Sequence, residues 1–302
     1  MGTTGIEFAT KTWNFLTGCF PMSEGCRNCW AERGHEMRHK AYLEGKKLPA
    51  QYAKPFSEIQ VFPNRLTEPM HWRQPQRVFP CATSDIALAP ETILDQAFAV
   101  MSLTPQHFYM LITKRPDLLH NYLVDPDCRT RVWNAKCDHG KPVTPMPWPL
   151  PNVIIMTTAE NQEIADNRIP CVLKSPAALR GVIIEPMLGP VNIMAYLGGK
   201  FLTDIEKQTG SVTGLDWVIC GGESGPGARP MHPEWVWSLR DQCKAAGVPF
   251  LFKQFGEWLP FGQNTVEGKH HFGFDGDQGF WKVGKKAAGR LLDGHLWDQY
   301  PR

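Results

Sequence analysis

No stretch of this 302-residue sequence is apolar for long enough to span a bilayer, and its opening MGTTGIEFATKTW lacks both the basic start and the apolar centre of a secretory signal. A cytoplasmic location with no membrane partner is therefore expected. Charge of one sign is also scarce: the formal net charge is +2, too small for the whole surface to gather nucleic acid by itself. Neither an internal repeat nor a linker-like stretch is visible. Nine cysteines, an odd number in a reducing compartment, do not make a disulfide framework. What the chain does have is material for a sizeable core, with 42% hydrophobic residues, and many ordered loops, with 27 Gly and 26 Pro. Its length suits one large α/β barrel or two small domains.

Two runs are locally basic: Arg27, Arg33, Arg38, Lys40, Lys46, Lys47 and Lys54 near the start, and Lys282, Lys285, Lys286 and Arg290 near the end. A solvated surface accounts for both. Phosphate contact around an active-site mouth is the sharper alternative.

The first 75 residues are rich in Trp, Cys, Arg and Lys, with a helical stretch expected over about 28–44. From there short apolar runs alternate with helical patterns, giving strands at Val78–Ala82, His107–Ile112, Val153–Met156, Val182–Ile184, Trp217–Cys220 and Phe250–Phe252. The alternation predicts a mixed α/β fold around a parallel sheet, open or closed into a full or partial TIM-type (βα) barrel. Three segments follow: 1–75 as a cluster-binding segment packed on the barrel, 76–258 as the barrel core, and 259–302 as a C-terminal extension. Residues 128–151, rich in proline, read as an irregular insertion within the core.

Nearly every expected strand ends in polar residues. Ser84 and Asp85 follow the first, Thr113, Lys114 and Arg115 the second, and Thr157, Thr158, Glu160 and Asn161 the third. Glu185 closes the fourth, Gly221-Gly222-Glu223-Ser224 the fifth, and Lys253-Gln254 the sixth. In a parallel barrel these ends share the rim where active sites are built, although strand ends are polar in any soluble protein.

The strongest local signal is GCFPMSEGCRNCWAER, with six residues between Cys19 and Cys26 and two between Cys26 and Cys29. Thiolates are soft ligands that select zinc or iron–sulfur centres. Structural zinc wants four protein ligands, and only His35 is placed to complete a Cys3His set. Three cysteines on a 4Fe-4S cluster leave one iron open to a small chelating molecule, which favours the cluster. Cys81, Cys171, Cys220 and Cys243 read as core filling. Cys128 and Cys137, with His139, are candidates for a second metal site that lacks an evident fourth ligand.

The segment WNFLTGCFPMSEGCRNCWAE resembles the opening motif of a phage and prophage protein family related to radical S-adenosylmethionine (SAM) enzymes. ITKRP at 112–116, AENQEIADNRIP at 159–170, IEPMLGPV at 184–191, WVICGGESGPGARPMHPEW at 217–235 and VPFLFKQFGEW at 248–258 follow in the family's order. The resemblance implies a 4Fe-4S cluster on Cys19, Cys26 and Cys29, SAM on its open iron, and one-electron cleavage to a 5′-deoxyadenosyl radical that takes hydrogen from a substrate. It further implies roles near the cofactor for Trp30, Ser84, Asp85, Lys114, Glu160 and Asn161. Gly221 and Gly222 would form a backbone cradle, and Glu185, Glu223, Lys253 and Gln254 would line the substrate side. A flavodoxin-like or ferredoxin-like reductant is the implied protein partner.

For the reaction, the resemblance points to isomerisation or rearrangement on a modified base, of the hypermodified thymidine type, in phage DNA. A modified nucleotide or a nucleic acid would be the substrate. Two other readings stand beside it: a radical SAM nucleic-acid repair lyase, and a zinc-stabilised nucleic-acid-binding protein without catalysis.

Overall fold

The computed structural model describes residues 4–137, 145–198, 214–263, 271–273 and 279–301. Seven strands form one sheet: β1 (Lys11–Trp13), β2 (Arg77–Pro80), β3 (Phe108–Thr113), β4 (Val153–Thr158), β5 (Leu179–Ile184), β6 (Trp217–Cys220) and β7 (Phe250–Phe252). They are hydrogen-bonded in that order. The pairs β1/β2, β2/β3, β5/β6 and β6/β7 are parallel, with registers such as Trp13 against Pro80 and Ile184 against Cys220. Strands covered on both faces need apolar side chains at every position rather than at alternate ones, and VIIMTT, WVIC and FLF are buried throughout. The order runs from β1 to β7 without returning, which is the strand succession of a partial TIM-type barrel.

Six helices matter here: α1 (Trp30–Leu43), α2 (Glu91–Leu103), α3 (Pro116–Val124), α4 (Cys128–Cys137), α5 (Gln162–Lys174) and α6 (Pro233–Ala246). Pro116 and Pro233 stand in the first turn of their helices, where a missing N–H costs nothing. Gly247, at φ 70°, ends α6 in the left-handed conformation that carries no Cβ penalty for glycine. No helix among the described residues is long and apolar enough to cross a membrane.

The chain packs as two compact units. One comprises 1–22, 29–156 and 174–179, and the other 23–28, 157–173 and 180–302. These do not part at the boundaries expected near 75 and 258. In the first unit, Lys11–Trp13 hydrogen-bonds alongside Val78–Pro80, so the N-terminal segment supplies a strand of the sheet. Trp13, Phe15 and Tyr109 pack ring against ring in its core, Trp13 with centroids 4.7 Å from Phe15 and 5.8 Å from Tyr109. In the second unit the C-terminal residues cover the edge of β7: Leu251 bridges antiparallel to Asp298, and Trp217 donates its indole N–H to the Gln299 carbonyl at 2.8 Å. The extension therefore closes an edge that would otherwise present unpaired backbone groups.

The expected irregular insertion begins with a helix instead. α4 buries Cys128 and Val132, and its Arg131 reaches Asp125 at 2.9 Å and Asp95 of α2 at 3.3 Å. The ion pairs to a neighbouring helix fix a segment whose own apolar periodicity is weak. Burial pushes the Cys128 thiol up to about 11. His139, the third member of the suggested second metal site, lies outside the described residues.

Candidate functional site

The cysteine segment is held by groups from strand ends, and each unit contributes its own fastening. In the first unit, Arg115 follows β3 and is buried. One of its amino groups donates to Cys19 Sγ at 3.7 Å and to Asp85 Oδ2 at 3.0 Å, and the other to the Phe20 carbonyl at 2.8 Å. Its plane lies 4.4 Å over the Phe20 ring. Asp85 is saturated: Oδ1 accepts from Thr113 Oγ1 at 2.6 Å and Ala87 N at 3.1 Å, and Oδ2 accepts also from Lys114 N at 2.9 Å. Ser84 donates its hydroxyl to the Gly18 carbonyl, one residue before Cys19. Ser84 and Asp85, expected beside SAM, are thus engaged in holding the loop and its anchor. Lys114 contributes its backbone N–H to that anchor.

In the second unit, Glu160 is 1% exposed and accepts from Ser23 Oγ at 2.6 Å. Its other oxygen faces Arg168 at 3.5 Å. Gly25 rests on it so closely that a Cβ would stand 2.3 Å from the Glu160 side chain, so this turn excludes any larger residue. Glu223 accepts from Asn28 Nδ2 at 3.0 Å and, from Arg229, the backbone N–H at 2.8 Å, Nε at 2.9 Å and a terminal amino group at 2.8 Å. Arg229 reaches on to the Glu24 carboxylate and carbonyl, both at 2.9 Å. Burial pushes the Glu223 carboxyl up, but the Arg229 and Asn28 donors outweigh it and hold the group below the usual carboxylate range. Arg229 was no candidate in the sequence; its signal is the GARP stretch, six residues after a glutamate that needs a cation.

A second polar group in this unit stands apart from the loop. Glu185, after β5, pairs with Lys253 Nζ, and Gln254 donates its amide to Glu185 at 3.3 Å and to the Gly222 carbonyl at 3.2 Å, both ends of β7 and β5 meeting over Gly221. Both neighbours of the Gln254 nitrogen are acceptors, which fixes the amide orientation. Its oxygen is buried and has no hydrogen-bond partner among the described residues. The side chain of Glu185 remains 22% exposed and that of Lys253 10%, whereas Gln254, like Glu160, is 1% exposed.

Two expected residues have local explanations. Asn161 Oδ1 accepts from Ile164 N at 3.0 Å, the bond of a helix N-cap opening α5. Gly222 is demanded by backbone contact, since a Cβ there would meet the Phe255 carbonyl oxygen at 2.0 Å. Trp30, at the start of α1, is 53% exposed.

The described cysteines form no disulfide. Cys19, Cys26 and Cys29 are partly exposed, as is Cys171, which was expected to fill the core, whereas Cys81, Cys128, Cys220 and Cys243 are buried. Burial raises the Cys243 thiol to about 12 and pushes those of Cys81 and Cys220 up strongly. Burial pushes Cys19 up too, with the Arg115 guanidinium opposing it. Three soft thiolates on one segment suit an iron–sulfur cluster, whose cysteines bind separate irons, and no group of three or more His, Cys, Asp or Glu among the described residues is placed to hold a single metal ion. The fourth zinc ligand is also lost: His35 is buried, its Nε2 lies 2.9 Å from the Lys54 carbonyl, and its ring packs on Tyr52 and Phe56.

Residues 3–301 match the family described as "Protein of unknown function (DUF5131)". No curated protein matches the chain. Among solved structures, two variants of spore photoproduct lyase are similar, each with a TM-score of 0.36 and 12% identity. They align with 89% and 88% of this chain, which spans 67% and 66% of theirs.

Proposed function

We propose that this chain, which belongs to the DUF5131 family, is a radical SAM enzyme whose Cys19, Cys26 and Cys29 hold a 4Fe-4S cluster. The observation that carries the proposal is the contrast among cysteines. The three at the motif spacing are partly exposed on one segment, and the buried Arg115, Glu160 and Glu223, with the half-buried Arg229, fasten that segment at Cys19, Phe20, Ser23, Glu24 and Asn28. Such an investment in a loop is typical of sites that must be held in geometry.

The chemistry supplied by the cluster with SAM is one-electron cleavage to methionine and a 5′-deoxyadenosyl radical, which abstracts hydrogen from the substrate. The chain's own groups do the rest. Glu160 and Glu223 keep the loop in register from beneath. Glu185 and Lys253 present a carboxylate and an ammonium to the substrate, able to orient a polar group and hold a proton at Lys253 Nζ or a Glu185 oxygen, while the buried Gln254 amide holds Glu185 in place.

For the substrate we favour a base in nucleic acid, with isomerisation or rearrangement as the reaction. Arg33, Arg38, Lys40, Lys46 and Lys47 are exposed along and after α1, next to the exposed Trp30, a combination of cations and an aromatic face that suits a stacked base on a phosphate chain. The C-terminal basic run supports it less: Lys282 donates to the Pro226 carbonyl and Arg290 pairs with Asp298. A one-electron reductant of the flavodoxin or ferredoxin kind would supply the electron.

The test is anaerobic reconstitution with iron and sulfide, reduction, addition of SAM, and assay of 5′-deoxyadenosine. Product that disappears in Cys19→Ala, Cys26→Ala and Cys29→Ala is the expected result. A colourless zinc protein that leaves SAM intact would overturn the reading.

A further inference from the structure

We infer that Arg115, braced by Asp85, is a positioning residue that sets the reduction potential of the cluster through its ligand Cys19. The inference rests on the cluster assignment just proposed. Arg115 is the cation that touches a motif sulfur in the first unit, at 3.7 Å, and it is buried together with its counter-charge. Adding an electron makes a cluster more negative, and hydrogen bonds and positive charge at a ligand sulfur stabilise that reduced state. Little water is present beside buried groups to screen the effect.

A simple loop fastener would not need this arrangement. The Phe20 carbonyl already receives one arm of the guanidinium at 2.8 Å, which suffices to pin the backbone. The other arm is shared between Asp85 and the sulfur, so it is the planar fork of arginine that reaches both. Asp85 is locked by Thr113, Ala87 and Lys114 and cannot follow Cys19. What the sulfur meets is therefore an oriented dipole, positive end foremost. The two members of the pair should act on the potential with opposite signs.

The test is an EPR-monitored redox titration of the reconstituted full-length protein, with dithionite as the one-electron reductant and mediator dyes, in wild type, Arg115→Gln, Arg115→Lys and Asp85→Asn. Arg115→Gln is expected to lower the midpoint potential by about 59 mV, a tenfold loss in the one-electron reduction equilibrium. Asp85→Asn is expected to raise it, and Arg115→Lys to restore most of the loss in Gln by keeping the charge. Should Arg115→Gln fail to fold, Asp85→Asn and the Lys variant still decide the sign. Unchanged potentials, or shifts in the same direction for Gln and Asn, would overturn the inference while leaving the cluster in place. A wild-type protein that takes up no iron and sulfide would overturn the cluster assignment and this inference with it.

Discussion

Glu160 and Glu185 are the same residue type in the same unit, one following β4 and the other β5, yet they have different work. Glu160 is 1% exposed, with one oxygen on Ser23 and the other toward Arg168. Glu185 keeps a 22% exposed side chain and shares its oxygens with Lys253 and Gln254. A buried carboxylate filled by protein donors is a fastener, and one still partly exposed is available to a ligand. Glu223, with its four donors, belongs with Glu160.

The comparison breaks most visibly at Glu160. Glu160→Ala leaves Arg168 buried without its counter-charge and removes the acceptor beneath Ser23, so a loss of about 3 kcal/mol is expected in urea unfolding. A loss under about 1 kcal/mol would show that the pair holds nothing. Glu185→Gln and Lys253→Met should shift the urea midpoint less than Glu160→Ala, since the pair is partly exposed, while substrate conversion falls about a hundredfold, the scale of a lost proton-transfer or orienting group. Formation of 5′-deoxyadenosine without substrate should survive in both; its disappearance would place the pair at the cofactor instead.

A smaller effect follows from Glu223. Its folded pKa is held below the usual carboxylate range, so its contribution to stability is complete above the unfolded pKa and is lost as pH falls through the folded one. Wild-type stability should therefore drop below about pH 4.5 more steeply than that of Glu223→Gln. Parallel urea-midpoint curves for the two proteins would remove Glu223 from the fasteners. The mildest test is chemical. In the metal-free protein near neutral pH, iodoacetamide should label Cys19, Cys26 and Cys29 within the time that leaves Cys81, Cys220 and Cys243 untouched, as peptide mass mapping would report.

Much of this was legible in the sequence. The βα alternation from Val78 to Phe252 and the span of α1 needed only apolar periodicity and strand length, both local properties. The division of cysteines was also local, since the motif spacing separates Cys19, Cys26 and Cys29 from cysteines inside apolar runs. The helix at Cys128–Cys137 was missed because its stability comes from Arg131 pairing with acidic residues elsewhere, not from its own pattern. The strand-end residues Ser84, Asp85, Glu160 and Glu223 were expected near cofactor or substrate; their contacts to the cysteine loop and its anchor were not legible in the sequence, because the partners lie far apart along the chain.

By itself the sequence determined the elements and the parallel sheet, because hydrophobic period and strand length act over a few residues. Only the tertiary structure decided which charged groups serve the cysteine segment. Ser23 meets Glu160 across 137 residues of chain, Asn28 meets Glu223 across 195, and Glu24 meets Arg229 across 205. No local pattern encodes such pairings; the sheet selects them by bringing strand ends beside the loop, where burial makes an unpaired charge too costly to keep.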